Sequence, residues 1–230
     1  MNRHVVIRSI ERADAALIDR LGSAGTATVH EGIGRRGYAG PHIVARQRGV
    51  KVAGSAVTVA SHPGDNGMIH AAVSVCRPGD IVIVSHTAPS THGGFGDLLA
   101  TSLMAHGVRA FVTDAAVRDT ADLNAMGFPV WSQYVSCQGA VKATPGSVNV
   151  PIRFGEAIVA PGDIVCCDDD GVVIVPRAEA AWAADQAQTR LDTEADTRAR
   201  LEAKELGLDM YGLRDAQVAM GVEYLDSWSQ

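Results

Sequence analysis

Two successive stretches, "PGDNGMIHAAVSVCRPGDIVIVSH" and "GGFGDLLATSLMAHGVRAFVTDAAVRDT", repeat one plan: a turn, a helix-length segment, a second turn and an apolar run. Such alternation of helical and extended periods predicts an α/β chain. Asp65 or Asn66 can cap the first helix, and Pro78-Gly79 suits the centre of a type II turn before a strand at Ile81 to Val84. In the second unit the turn falls at Gly93 to Gly96. A helix follows from about Asp97 to His106, Gly107 stops it, and Ala110 to Asp114 is the next strand.

The rest of the chain is read around this pair. "ADAALIDRLGSAGTATVHEGIG" is helical in two pieces broken near Gly22 to Gly25, with Thr26 or Thr28 as cap, and "GVKVAGSAVTVASH" alternates like a strand. "TADLNAMG" is a short helix and "PVWS" closes a short strand, whereas Gln133 to Pro176 is β-rich. "PGDIV" occurs at Pro78 and Pro161; the flanks do not match, so one turn-to-strand device is used twice without an internal duplication. From Arg177 to about Leu206 the chain is polar, Ala-rich and helical, followed by a tail with Met and aromatic residues. Residues 1–176 are expected to form an α/β catalytic domain, and 177–230 a helical extension that packs on a neighbouring subunit.

Composition narrows the partners. Hydrophobic residues make up 47% of the 230-residue chain and charged ones 20%, as in an ordinary globular enzyme. A formal charge of -6 argues against nucleic acid, since the only dense basic stretches, Arg35-Arg36 and Arg46 to Lys51, are short. No segment approaches the ~20 apolar residues of a membrane span. Arg8, Glu11 and Arg12 interrupt any secretory signal, so a cytoplasmic protein is expected. Cys76, Cys137, Cys166 and Cys167 match neither a zinc nor a disulfide pattern and are expected to be buried thiols.

Chemistry concentrates at Asp97 and "VRD". Twenty residues separate Asp97 from Arg118, enough for one helix and one strand, so both should surface near the carboxyl ends of strands, where α/β folds bind ligands. Asp122 follows Asp119 by three residues. Two carboxylates without His or Cys partners suit a hard cation such as Mg2+ or Mn2+. The fork of Arg118 suits a substrate carboxylate, and the amides of Leu98 and Leu99 at a helix start form a second anion site. A 2-oxo acid has the shape such an array would hold. The plainer alternatives are an N-cap for Asp97 and a structural ion pair for Arg118-Asp119. Of eight histidines, His62 and His70 flank one turn and His86 and His92 another; one of them is expected to contact a distal carboxylate.

Together with "GDLLA", "PGDNGMIHAA", "GFPVWS", "GSVNVPI", "PGDIVCCDDDGVVIVP" and "ELGLDMY", these residues resemble the class II pyruvate aldolases over nearly the whole chain. That family cleaves 4-hydroxy-4-methyl-2-oxoglutarate and 4-carboxy-4-hydroxy-2-oxoadipate. The resemblance implies a β/β/α swivelling-type domain with a long C-terminal helix, assembled as trimers or hexamers around a divalent cation, Mg2+ or else Mn2+ or Co2+. It assigns Asp119 to the metal and Asp97 to the metal's water. Arg118 would meet the pyruvyl oxygens, and Gly96, Leu98 and Leu99 the carboxylate. The adjacent subunit's C-terminal helix would add an acidic residue, Glu194 first, with Asp192 and Asp196 close by. A Schiff-base aldolase is the mechanistic rival; among Lys51, Lys142 and Lys204, Lys142 in "QGAVKATPGS" suits it best. The same resemblance takes in a regulator that binds ribonuclease E, the competing non-catalytic reading.

Overall fold

The computed structural model describes residues 4–228. Helices α1 (Ala15–Ala24) and α2 (Thr26–Gly32) lead into strands β1 (Val44–Ala45) and β2 (Val52–Ser61). Then come α3 (Gly67–Val73), β3 (Asp80–His86), β4 (Gly93–Phe95), α4 (Asp97–Ala105), β5 (Ala110–Val117), α5 (Thr120–Met126) and β6 (Val130–Val135). Short strands follow: β7 (Ser147–Val148), β8 (Ile152–Phe154), β9 (Ala157–Val159), β10 (Ile164–Asp168) and β11 (Gly171–Val175). The chain ends in α6 (Ala180–Glu202), α7 (Gly207–Met210) and α8 (Leu213–Ala219).

The expected α/β alternation is the centre of the fold. Strands β2, β3, β5 and β6 lie side by side and parallel, with α3, α4 and α5 in the connections. The main sheet runs β1-β6-β5-β3-β2-β10-β11, with β4 beside β5 and β7 beside β2. Both faces of the parallel strands are covered, which is why their sequences are almost continuously apolar. Alternate residues divide between two cores. Val57, Val82, Val84 and Phe111 pack under α3, α4 and α5 with Ile69, Leu103 and Leu123. Ala56, Ile81, Ile83, Ala110 and Val112 face the other way, toward Phe154 of the β8-β9 hairpin and Ile174 of β11.

On that second side the sheet nearly closes on itself. Just before β1 the chain pairs with β11, Ala39 N–H donating to Val172 O at 3.0 Å, and β1 then pairs with β6. Trp131 of β6 also reaches across, its indole N–H 2.8 Å from Asp168 O at the end of β10. The result is the β/β/α arrangement expected from the sequence.

Several local readings are corrected. Gly93 to Phe95 is a short parallel strand, not a turn, because Phe95 is buried and stacks on Phe111 with ring centroids 3.7 Å apart. α2 is capped neither by Thr26 nor by Thr28. The Asp168 carboxylate, 142 residues away, accepts from Thr26 N–H at 2.7 Å and from its hydroxyl at 2.5 Å. Asn66 holds the cap position of α3 without a side-chain bond to the helix, while Asp65 Oδ1 accepts from Gly67 N–H at 2.7 Å. Cys137 is exposed rather than buried, and Cys76 is intermediate; only Cys166 and Cys167 are fully buried.

The chain divides into two compact units, Met1–Gln188 and Thr189–Gln230. The first includes the start of α6, where Ala180, Ala183, Ala184 and Ala187 are buried at helical spacing. In the second, Glu194 pairs with Arg190 at 3.0 Å, and Tyr211, Met220 and Trp228 are exposed. No helix among the described residues is long and apolar enough to cross a membrane.

Candidate active site

β4 brings Asp97 and Arg118 together. It lies parallel to the end of β5, with Gly93 opposite Ala116 and Phe95 opposite Val117, and Arg118 N–H donates to Phe95 O at 2.8 Å. α4 therefore starts beside the point where β5 ends. Gly96 is its cap residue and Asp97 its first helical residue, so the N-cap alternative for Asp97 does not hold. The amides of Asp97, Leu98 and Leu99 precede the first intrahelical bond, from Ala100 N–H to Gly96 O at 3.0 Å. They form the positive end of the helix.

Asp119 occupies the left-handed region, φ 54°, a conformation Asp tolerates better than most side chains. Its carboxylate lies against Gly96: a β-carbon there would be 2.1 Å from Asp119 Oδ2 and 3.1 Å from Arg118 Cγ. Arg118 Nε donates to Asp119 Oδ2 at a long 3.3 Å, and both side chains remain part-exposed, so this ion pair leaves donors and acceptors available. Asp122 is exposed in the first turn of α5.

Arg118 lines two small recesses. One, of about 290 Å³, includes Asp119, Ser136 and Cys137. The other, of about 100 Å³, is formed by Gly96, Asp97, Leu98 and Leu99 with Asn66, His70 and Lys142. Lys142 arrives there because Asp65 ties its loop down: Oδ2 accepts from Ala143 N–H at 2.6 Å and Thr144 N–H at 2.7 Å, while Asn66 N–H donates to Val141 O at 2.9 Å. Burial, reinforced by the Lys142 ammonium, lowers the His70 pKa below its ordinary value, so the imidazole is uncharged at neutral pH.

Of the four histidines singled out in the sequence, His70 alone shares this recess. His62 lines a separate cavity, His86 faces the other core, and His92 packs against the Gly64 turn. Asn66 was absent from the sequence-based site because its reading stopped at the helix cap. Its Nδ2 donates to Gly94 O at 2.8 Å, while its buried Oδ1 has no partner among the described residues. The placement of Lys142 depends on a loop without regular periodicity.

Among the described residues, no three His, Cys, Asp or Glu side chains are grouped to enclose a metal ion. The cradle that Gly96 leaves open for Asp119, with Asp97 at the adjoining rim, offers two carboxylates, while the nearby Cys137 and His70 are single side chains in two different recesses. Such a set fits a hard cation that keeps most of its waters and not a zinc-type site.

Residues 16–174 match the RraA-like family, described as Aldolase/RraA. A Halalkalibacterium halodurans protein provisionally named 4-hydroxy-4-methyl-2-oxoglutarate aldolase is 30% identical over 66% of this chain and 71% of its own. A Shewanella oneidensis protein with the same provisional name is 31% identical over 48% of this chain and 67% of its own. Among solved structures, Streptomyces coelicolor RraAS2, an unusual member of the RNase ES inhibitor RraA family, superimposes with a TM-score of 0.74 at 29% identity, covering 82% of this chain and 100% of that one. The mixed sheet and the match over residues 16–174 lead to one assignment: the chain belongs to the RraA-like family, Aldolase/RraA.

Proposed function

We propose that the chain is a divalent-metal-dependent aldolase. It would cleave 4-carboxy-4-hydroxy-2-oxoadipate to pyruvate and oxaloacetate, 4-hydroxy-4-methyl-2-oxoglutarate to two pyruvates, or both. The observation that carries this reading is the junction of Gly96 with Arg118 and Asp119, which sets the Asp119 carboxylate against Gly96 and puts the Arg118 guanidinium, the Asp97 carboxylate and a helix amino end around one recess.

The pyruvyl carboxylate would rest on the amides of Leu98 and Leu99 beside Gly96, with Arg118 reaching the C1 and C2 oxygens. Asp97, at the rim, would take up the C4 hydroxyl proton through water. As the C3–C4 bond breaks, its electron pair enters C2–C3 and charge develops on the C2 oxygen, facing Arg118. C4 leaves as the new carbonyl, and the enolate takes a proton at C3 to give pyruvate. Mg2+, Mn2+ or Co2+, held by Asp119 with Asp97, would supply Lewis-acid polarisation of the C2 oxygen. The same array serves the slower decarboxylation of oxaloacetate, whose enolate product is identical. Lys142 and His70, which line the same recess, would meet the distal carboxylate, a binding role for Lys142 in place of a Schiff base. In a trimer or hexamer, the C-terminal helix of another copy would complete the wall, with Glu194 the first candidate.

The test is pyruvate release from each substrate, with Mg2+ and after chelation, by the wild type and by Asp119→Asn. Metal-dependent release lost in the variant supports the aldolase. The likeness to RraAS2 over that whole chain supports a second reading, a non-catalytic regulator of a ribonuclease. Absence of release from folded protein, together with inhibition of an RNase E-type nuclease, would establish that reading instead.

A further inference from the structure

A cavity lies on the other face of the sheet, at the mouth of the nearly closed barrel. Ser85 and Asp114 continue the inward rows Ile81, Ile83 and Ala110, Val112, but at the carboxyl ends of β3 and β5 the apolar residues give way to polar ones. The space is about 760 Å³, and its lining includes Pro151, Ile152 and Tyr134. Barrel mouths of this kind are common ligand sites.

Its polar groups are arranged and not merely present. Asp114 accepts from His86 N–H at 3.0 Å through Oδ2 and 3.1 Å through Oδ1 and from His86 Nδ1 at 2.6 Å, while the Ser85 hydroxyl makes its shorter bond, 2.6 Å, to Arg153 O. Both carboxylate oxygens are thereby occupied, and the imidazole is oriented with Nδ1 carrying the proton. The His86 side chain is only 7% exposed, yet its Nε2 has no partner among the described residues while the residue lines the cavity. Arg153, on β8, is exposed at the same mouth; its Nε donates to Gly155 O at 3.3 Å, and no carboxylate lies within ion-pair distance among the described residues. A buried imidazole fixed by a carboxylate, an arginine whose charge is not neutralised, and apolar walls describe complementarity to a small organic anion with a hydrophobic body.

We propose that this cavity is a second ligand site, separate from the Asp97 and Arg118 recess, which binds a small apolar monocarboxylate between His86 and Arg153. The ligand would bind with one proton taken from solvent and shared between a carboxyl oxygen and His86 Nε2, the other oxygen accepting from Arg153, and the apolar body would lie against Pro151, Ile152 and Tyr134.

The experiment titrates the full chain with benzoate, followed by ligand-observed NMR and calorimetry, using benzamide and formate as probes that lack the charge or the body. His86→Asn keeps a donor near the Nδ1 position for Asp114 while removing Nε2. Arg153→Gln alters an exposed residue. Benzoate should bind more tightly than either control, and each variant should weaken it at least tenfold without changing the thermal midpoint. Arg118→Gln should leave benzoate binding unchanged. The proposal is overturned if wild type does not bind benzoate, if benzamide binds as well, if neither variant weakens binding, or if Arg118→Gln alone abolishes it. None of these outcomes bears on pyruvate release, so the aldolase reading stands or falls separately.

Discussion

Gly96 leaves no room for a side chain beside Asp119. A β-carbon would sit 2.1 Å from the Asp119 Oδ2 atom. The Gly96 backbone itself is extended, φ -155°, a conformation open to any residue, so the requirement is one of space. At Gly94, two residues earlier, the nearest atom to an added β-carbon is Asn66 Cβ at 3.8 Å, an ordinary contact. Gly96→Ala should therefore displace the carboxylate and lower kcat/KM for retro-aldol cleavage by about 100-fold, the scale of a 1 Å misplacement. Gly94→Ala should cost far less. Steady-state kinetics of the two variants side by side would check this.

Lys142 separates the two aldolase mechanisms. If it binds substrate without forming an imine, Lys142→Met should raise KM for the more highly charged substrate and retain metal-dependent turnover. Borohydride added with substrate should leave the wild type active. The substitution also removes the positive neighbour of His70, so the imidazole pKa should rise part of the way toward its ordinary value while burial continues to lower it. NMR titration of the His70 ring would follow this.

Asp65 links the site to stability. Burial opposes its charge, but the N–H groups of Ala143, Gly67 and Thr144 outweigh that effect and hold its pKa below the usual carboxylate value. A pKa lower in the folded chain than in the unfolded one stabilises the fold above the unfolded value, and this contribution disappears as pH falls through the folded value. Asp65→Asn should lose about 1.5–3 kcal/mol near pH 7, with the gap narrowing below about pH 4. Urea unfolding at the two pH values measures it.

The thiols should differ sharply. Burial pushes Cys76 and Cys166 up to about 12 and Cys167 well above its ordinary value, which leaves almost no reactive thiolate near pH 8. Cys137 is exposed and lines the recess with Arg118 and Asp119. A thiol reagent should count one group per native chain and four after denaturation. N-ethylmaleimide should inactivate the wild type but not Cys137→Ser.

The array from Asp97 to Asp119 was readable because α/β alternation sends successive strand ends to one rim, so a spacing of twenty residues already implied proximity. β4 was not readable as a strand: Gly-Gly-Phe has too few side chains to show a period, and Phe95 extends it only by stacking on Phe111. The cap of α2 was invisible for another reason. Local reading searches neighbouring residues, and Asp168 is a neighbour only after β10 has paired with β2. The meeting of Lys142 with His70 depends on side-chain bonds from Asp65 that no periodicity encodes.

β2 has β3 on one side and β10 on the other, from residues 80–86 and 164–168. The first neighbour emerges from the ribosome soon after β2, the second about a hundred residues later, or roughly 5–20 s at ordinary synthesis rates. During that interval the flank of β2 reserved for β10 has no partner, and long-range pairing of this kind is slow once it begins. A nascent chain halted before β10 would therefore expose a strand edge able to recruit another chain. Early termination should thus yield aggregates where the full-length chain yields folded protein.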